Sequence, residues 1–222
     1  MKNLITGLMA CLYCLITPAF AQDAQDWAGR YYGASIGIVN GTSNHSWVGT
    51  PTGVDVDMSG GTIGLTYGHN YQGQNTVYGY EVDLSASDAD GFLIGGITPC
   101  ITPGEACNSQ LDALATFRAR IGVPLQNGFL PYATGGLALG KVQATADLGA
   151  CGFTGDCSLN EWMFGYTIGV GIEKMFNNGW SAKAEYLYVD FGRQAMDGSA
   201  PGNNVATDFS YDTFKIGVNR RF

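Results

Sequence analysis

From Trp162 onward every second residue is bulky and apolar: Trp162, Phe164, Tyr166, Ile168, Val170 and Ile172. Between them stand Met163, Gly165, Thr167, Gly169, Gly171 and Glu173. A period of two puts the apolar side chains on one face of a β-strand, and the interleaved glycines disfavour a helix. The small residues on the other face suit a strand whose inner side is crowded.

The pattern recurs along the chain. Tyr78, Tyr80, Val82, Leu84 and Ala86 alternate with Gly79, Glu81, Asp83, Ser85 and Ser87. Leu111, Ala113, Ala115, Phe117, Ala119 and Ile121 alternate with Asp112, Leu114, Thr116, Arg118 and Arg120. Phe214, Ile216, Val218 and Phe222 alternate with Lys215, Gly217, Asn219 and Arg221. Four further strands are read at 31–40, 61–70, 130–145 and 180–191, with the Gly60-Gly61 and Gly135-Gly136 pairs as sites for bulges or kinks. Gaps at 71–76, 124–128 and 177–179 are short, whereas those at 43–53, 88–108, 147–159 and 192–207 are longer. Strands near ten residues with short turns on one side and long loops on the other predict an eight-stranded antiparallel transmembrane barrel of outer-membrane type, all-β, over 27–222. Beyond residue 21 no apolar run is long enough for a transmembrane helix. A soluble sandwich would need a second sheet to cover each apolar face.

Charge agrees with a wall that faces lipid. Only 14% of the chain is charged, against about 25% in an average soluble domain, and the net charge is −8. An acidic chain is poorly suited to nucleic acid, and 45% apolar residues argue against disorder. Lys2, the apolar stretch that follows it and the Ala19-Phe20-Ala21 site read as a signal peptide over 1–21, cleaved after Ala21, which leaves one domain at 22–222. Export permits disulfides. Cys100 and Cys107 lie close together in one long gap, and Cys151 and Cys157 in another. Two local loop staples are the simplest of the three pairings. Zinc is the alternative, but neither pair has a nearby histidine, so no metal or cofactor is expected.

The polar faces collect charge of both signs. Glu81, Asp83, Asp112, Glu173 and Glu185 are read as inward, against Arg118, Arg120, Lys183, Lys215 and Arg221. An eight-stranded interior is just wide enough for side chains to fill it, so these groups are expected to pair as a lumen charge network; a narrow ion path is the alternative. Trp27, Trp162 and Trp180 lie near strand ends, as an aromatic girdle does. His45, followed by Ser46 in an expected outer loop, is read as a solvated loop residue, and His69 as interfacial. The rival reading is a lipid-modifying enzyme with His, Ser and an acid at the rim. The chain carries no Walker loop and no HExxH. Trp47, the cysteine pairs, Asp147 and Asp156 fall in the outer loops, where partner specificity is expected.

Three stretches carry a resemblance. Trp27-Ala-Gly-Arg-Tyr-Tyr-Gly-Ala-Ser-Ile-Gly looks like a first barrel strand, and Ala184-Glu-Tyr-Leu-Tyr-Val-Asp-Phe-Gly like a late one. Asp212-Thr-Phe-Lys-Ile-Gly-Val-Asn-Arg-Arg-Phe222 resembles the terminal strand that barrel-assembly machinery reads. Over the mature chain the sequence resembles the opacity-protein and immunogenic outer-membrane protein family, porin-like and related in architecture to the OmpA barrel. The resemblance implies a non-enzymatic surface protein of the Gram-negative outer membrane with an envelope-integrity and antigen- or adhesin-like role. Its implied partners are outer-membrane lipid and lipopolysaccharide, the assembly machinery and a host or environmental ligand. Unlike full-length OmpA-type proteins, the chain is expected to end at the barrel, with no peptidoglycan-binding domain. If Phe222 is the assembly signal, its deletion should lower outer-membrane levels without abolishing export. Normal surface levels of the truncated protein, measured by membrane fractionation, would contradict this.

Overall fold

The computed structural model describes residues 26–47, 53–94, 106–146, 157–176, 178–196 and 205–222. Eight strands follow in chain order: β1 (Gly29–Trp47), β2 (Gly53–Gln72), β3 (Val77–Ile94), β4 (Ala106–Gly122), β5 (Phe129–Ala146), β6 (Cys157–Met175), β7 (Trp180–Ala195) and β8 (Val205–Arg221). Each pairs antiparallel with its neighbours, and β8 returns to β1 to close the barrel. Closure follows from the outward apolar face, because hydrocarbon cannot satisfy the N–H and C=O groups of a free sheet edge. No helix among the described residues is long and apolar enough to cross a membrane; the crossing belongs to strands.

One end of the barrel is tightly turned. The Gly73 amide donates to the Thr76 carbonyl, Leu125 to Phe129 and Phe176 to Trp180, each at 2.8 Å. The start of β1 and the end of β8 share this end. The strands run from 16 to 20 residues, whereas a tilted strand crosses a bilayer in about 9–11. The surplus projects from the other end. The expected loops at 43–53, 88–108, 147–159 and 192–207 are therefore shorter than the sequence reading made them, since Ser43, Asp88, Asn108, Leu159, Gly192 and Thr207 all lie in strands.

The surplus forms strand because its alternation persists with the chemistry exchanged between faces. Low in β2, Ile63, Leu65 and Tyr67 are exposed on the outer wall. Higher in the same strand Val54, Val56 and Met58 are buried, and Asp55 and Asp57 are exposed. Where lipid lies outside, apolar side chains belong outside; where water does, they turn inward. The upper lumen is accordingly an apolar core that includes Val39, Val56, Leu111, Val142, Val189 and Phe209.

Three register shifts interrupt the ladder, at Ala86/Ala89, Leu111/Ala113 and Asp190/Gly192. The second corrects the expected phase of β4: the extra residue turns Leu111 from the outer face into the lumen, where it is 2% exposed. The glycine pairs are not the bulges they were expected to be. Register passes unbroken through Gly60-Gly61 against β1 and through Gly135-Gly136 against β4 and β6, whereas the β2–β3 ladder skips Gly60 and Gly61 between Ser59↔Asp90 and Thr62↔Ser87 without a shift of register. Gly136 instead answers a close approach, since a Cβ there would lie 2.0 Å from the Phe117 carbonyl oxygen.

Candidate functional site

Below the apolar core the lumen holds a polar layer to which every strand contributes. Its acids are Glu81 and Asp83 from β3, Glu173 from β6 and Glu185 from β7; its bases are Arg118 and Arg120 from β4, Lys183 from β7 and Lys215 from β8. All eight are nearly inaccessible. Burying a lone charge costs several kcal/mol, so each must find a counter-charge and fill its remaining hydrogen-bonding positions.

Glu81 sits at the centre. Arg118 donates to its Oε1, and Lys183 Nζ reaches the same oxygen at 3.0 Å. The Tyr31 hydroxyl donates to Oε2 at 2.9 Å. Arg118 Nη1 stands 3.0 Å from Glu185 Oε2, and Tyr132 donates to Glu185 Oε1 at 3.0 Å. Arg120 pairs with Glu173 at 2.8 Å, and Glu173 also accepts from Ser181 at 2.5 Å and Asn219 at 2.9 Å. Lys215 meets Asp83 at 2.8 Å, and Asp83 accepts from Ser85 at 2.6 Å and Thr66 at 3.0 Å. Four acids meet four bases, so the layer is neutral as a whole.

Tyr31 and Tyr132 were not singled out by sequence reasoning. Arg120 donates to the Tyr31 hydroxyl at 2.9 Å and lies 4.1 Å from the centre of the Tyr132 ring. A glycine makes room for each ring: a Cβ at Gly68 would lie 2.3 Å from the Tyr31 ring, and one at Gly171 2.4 Å from that of Tyr132. The usable signal was a tyrosine out of phase with the outward aromatics, facing a glycine on the neighbouring strand.

Two expected members of the network lie outside it. Asp112 sits at the β4 bulge, which takes it out of the inward phase, and accepts from Gln143 at 2.7 Å. Arg221 is at the rim, donating to the Asp26 carbonyl with its guanidinium 5.8 Å from the Trp27 ring. Trp27 also departs from the girdle reading. It is 1% exposed and packs with Val77, Leu130 and Met175 inside the turned end, where its amide donates to Gln72 Oε1. Trp162 and Trp180 are on the outer wall, 53% and 43% exposed. His69, near the turned end, stacks on Tyr71 at 4.5 Å.

His45 is a further correction. It lies in β1, fully buried, because the barrel wall extends past the membrane and its side chain falls on the inner face. Its Nε2 is 3.0 Å from Ser109 Oγ and 3.2 Å from Ser43 Oγ, while Nδ1 has no hydrogen-bond partner. No described carboxylate orients the ring as a catalytic triad requires. Phe222 is exposed on the outer wall, its amide donating to the Arg30 carbonyl at 3.1 Å and its ring 5.7 Å from that of Tyr32. Cys107 and Cys157 are fully buried at the starts of β4 and β6, at the outer end of the barrel. Cys100, Cys151, Asp147, Asp156 and the expected signal peptide lie outside the described residues.

The lumen is thus stratified, with an apolar cap around Trp27, a neutral layer of eight charges and an apolar core above. Known proteins share the barrel fold. The family model for the outer membrane protein beta-barrel domain matches residues 8–222. The 31 kDa outer-membrane immunogenic protein of Brucella melitensis is 29% identical over 214 residues, covering 90% of this chain and 85% of that protein. The 22 kDa outer membrane protein of Rhizobium leguminosarum is 28% identical over the full length of both. The crystal structure of the outer membrane protein OprG from Pseudomonas aeruginosa superposes with a TM-score of 0.55 at 13% identity, covering 88% of this chain and 96% of that one.

Arg118 tests the charge layer. Arg118→Met strips Glu81 and Glu185 of a counter-charge inside a sealed lumen. It should lower unfolding stability by about 3–5 kcal/mol, read from urea midpoints in lipid vesicles. A change below about 1 kcal/mol would show that the pair behaves as a solvated one.

Proposed function

The chain belongs to the outer membrane protein beta-barrel domain family, and on that premise we propose that it is a non-enzymatic structural and surface-exposed envelope protein, antigen- or adhesin-like, whose contacts with host or environment are made at its outer rim. Its location is the outer membrane: the fold is of that type, and the relatives are named for it. The observation that supports the functional reading is the stratified lumen. Solutes crossing it would have to displace the Trp27 cap, separate the ion pairs around Glu81 and then part the apolar core. With the interior filled, recognition falls to the outer surface. The relatives' name of immunogenic protein is in keeping with such a surface.

The rim carries its own proposal. The pairings are Cys100 with Cys107 and Cys151 with Cys157, each closing a short loop at the outer end. Support comes from the burial of Cys107 and Cys157 and from their bonded, thiol-free sulfurs. Such short closures stabilise by about 2–3 kcal/mol each. Peptide mapping of the exported protein should recover both pairs; free thiols or a Cys107–Cys151 link would overturn the assignment.

Liposome swelling with the purified, folded protein tests the sealed interior. No influx of sugars is expected, and single-channel records should show at most small, intermittent ion currents. Rapid sugar influx would replace this reading with that of a porin.

A further inference from the structure

The barrel wall is not paired to the same height all the way round. β6 pairs with β5 along its length, from Lys174 opposite Phe129 to Cys157 opposite Ala146. On its other side it pairs with β7 only from Met175 to Tyr166, and the last rung is Tyr166 with Asp190. Beyond that rung β7 stays with β8 as far as Ala195. No described strand pairs with 158–165 of β6 on the β7 side.

The ladder ends for a local reason. Continued by two residues, the same register would set Gly192 beside Phe164. Gly192 has a φ of 65°, and its amide donates instead to Asp190 Oδ1 at 2.7 Å. The register shift of β7 against β8 falls at the same place, and such a bulge bends its strand. The Phe191 ring closes the foot of the opening: a Cβ at Gly140 would lie 2.3 Å from it, and one at Gly165 2.8 Å.

The opening faces water. Asp190 is on the outer wall, where it accepts from the Tyr166 hydroxyl at 3.1 Å, and it pairs with Ser210, two residues outward of Asp212. The edges beyond it are exposed, with Asn160, Glu161 and Trp162 in succession on β6 and Arg193, Gln194 and Ala195 on β7. Glu161 has the inward phase of buried Leu159 and Met163, and Val142 beside it on β5 is fully buried. It is nonetheless exposed, because no strand covers its other side.

The orientation of the free main chain follows from the hairpin below, where the Phe176 amide donates to the Trp180 carbonyl of β7. Every second residue back along β6 turns its main chain to that side. The amides of Phe164, Trp162, Asn160 and Ser158 therefore face the opening, each about 7 Å from the next. The Asn160 carbonyl accepts from Lys141 Nζ at 3.3 Å; no strand takes up the four amides. Donors and acceptors at this repeat are complemented by another extended main chain. Open edges are commonly blunted by lysine or proline, but the outward side chains here are Ser158, Asn160, Trp162 and Phe164, all exposed.

The chain segments adjoining the opening, 147–156 and 197–204, are rich in Gly, Asp and Asn, which are depleted in strands. A second copy in the same membrane would bring its β6 alongside in parallel, with Glu161 facing Glu161, and like charges so placed repel. Resting on the reading of an outer-end recognition surface, we propose that the β6 edge beyond Tyr166 is a strand-addition site for an extended segment of a partner protein. The segment pairs through its main chain with 158–164 and sets apolar side chains against Trp162 and Phe164. On its other face it places a lysine or arginine by Glu161, which has no ion pair among the described residues.

The test uses the folded full chain in detergent micelles and fluorescein-labelled octapeptides that alternate valine with threonine around one central lysine. Two further versions carry N-methyl groups on the odd or on the even amides. Anisotropy should show binding of the parent peptide, retention in one methylated version and at least a tenfold loss in the other, because only one edge of an added strand meets β6. Hydrogen exchange at Asn160, Trp162 and Phe164 should be fast in the free protein and slow with peptide. Asn160→Pro removes an amide from the opening while sparing the β5 ladder, and should weaken binding about tenfold. Glu161→Lys should weaken it by charge and serves if Asn160→Pro fails to fold, as judged by gel mobility of unheated samples. The proposal is overturned by no binding at ~1 mM peptide, by equal behaviour of the two methylated versions, or by wild-type affinity in the folded variants. Slow exchange at those amides in the free protein would also overturn it, by showing the edge already covered by the chain itself. A sealed barrel that binds no peptide refutes this inference alone, whereas rapid sugar influx would remove the reading on which it rests.

Discussion

The wall of this barrel faces hydrocarbon, and every other feature of the chain answers to that. Edge N–H and C=O groups have no acceptor or donor in lipid, so the sheet closes. Eight strands close around an interior with room for side chains and little else. Once Glu81, Asp83, Glu173 and Glu185 are turned into that interior, they can remain charged only against the four bases that share it. Their geometry is accordingly dense: Glu81 alone is approached by Arg118, Arg120, Lys183 and the Tyr31 hydroxyl.

The charge layer is confined from both sides. Trp27, Val77, Leu130 and Met175 close the turned end, and the core around Val56, Leu111 and Phe209 closes the other. Low dielectric above and below strengthens each ion pair and raises the cost of leaving one unmade. A sealed, neutral, hydrogen-bonded layer holds the strands in one register and gives solutes no easy path.

The exchange of faces along the strands marks where the membrane ends. In β2 the change falls at Gly60-Gly61, between Ile63 on the outer wall and Met58 in the lumen. In β1 it falls between Ile38 and Asn40, and in β8 between Phe214 and Asp212. Above this line the barrel is built like a soluble one, apolar within and acidic without; below it the sense is reversed.

Fold class, strand number and location were legible in the sequence because they depend on a local property, the period of two, that each strand carries by itself. The pairing of Glu81, Asp83, Glu173 and Glu185 with Arg118, Arg120, Lys183 and Lys215 was legible in kind, since a narrow lumen forces charges of both signs together. Its membership was not. Asp112 and Leu111 change phase at a one-residue bulge that shows only in the β4–β5 register. Trp27 turns inward onto Val77, Leu130 and Met175, which come from three different strands at the turned end. His45 is buried because the wall continues past the membrane. Tyr31 and Tyr132 join the layer because glycines on adjacent strands leave space for their rings. Each of these depends on which residue stands beside which across the closed sheet. Alternation along one strand determines which face a side chain takes, but its neighbours are set only when eight strands close in register.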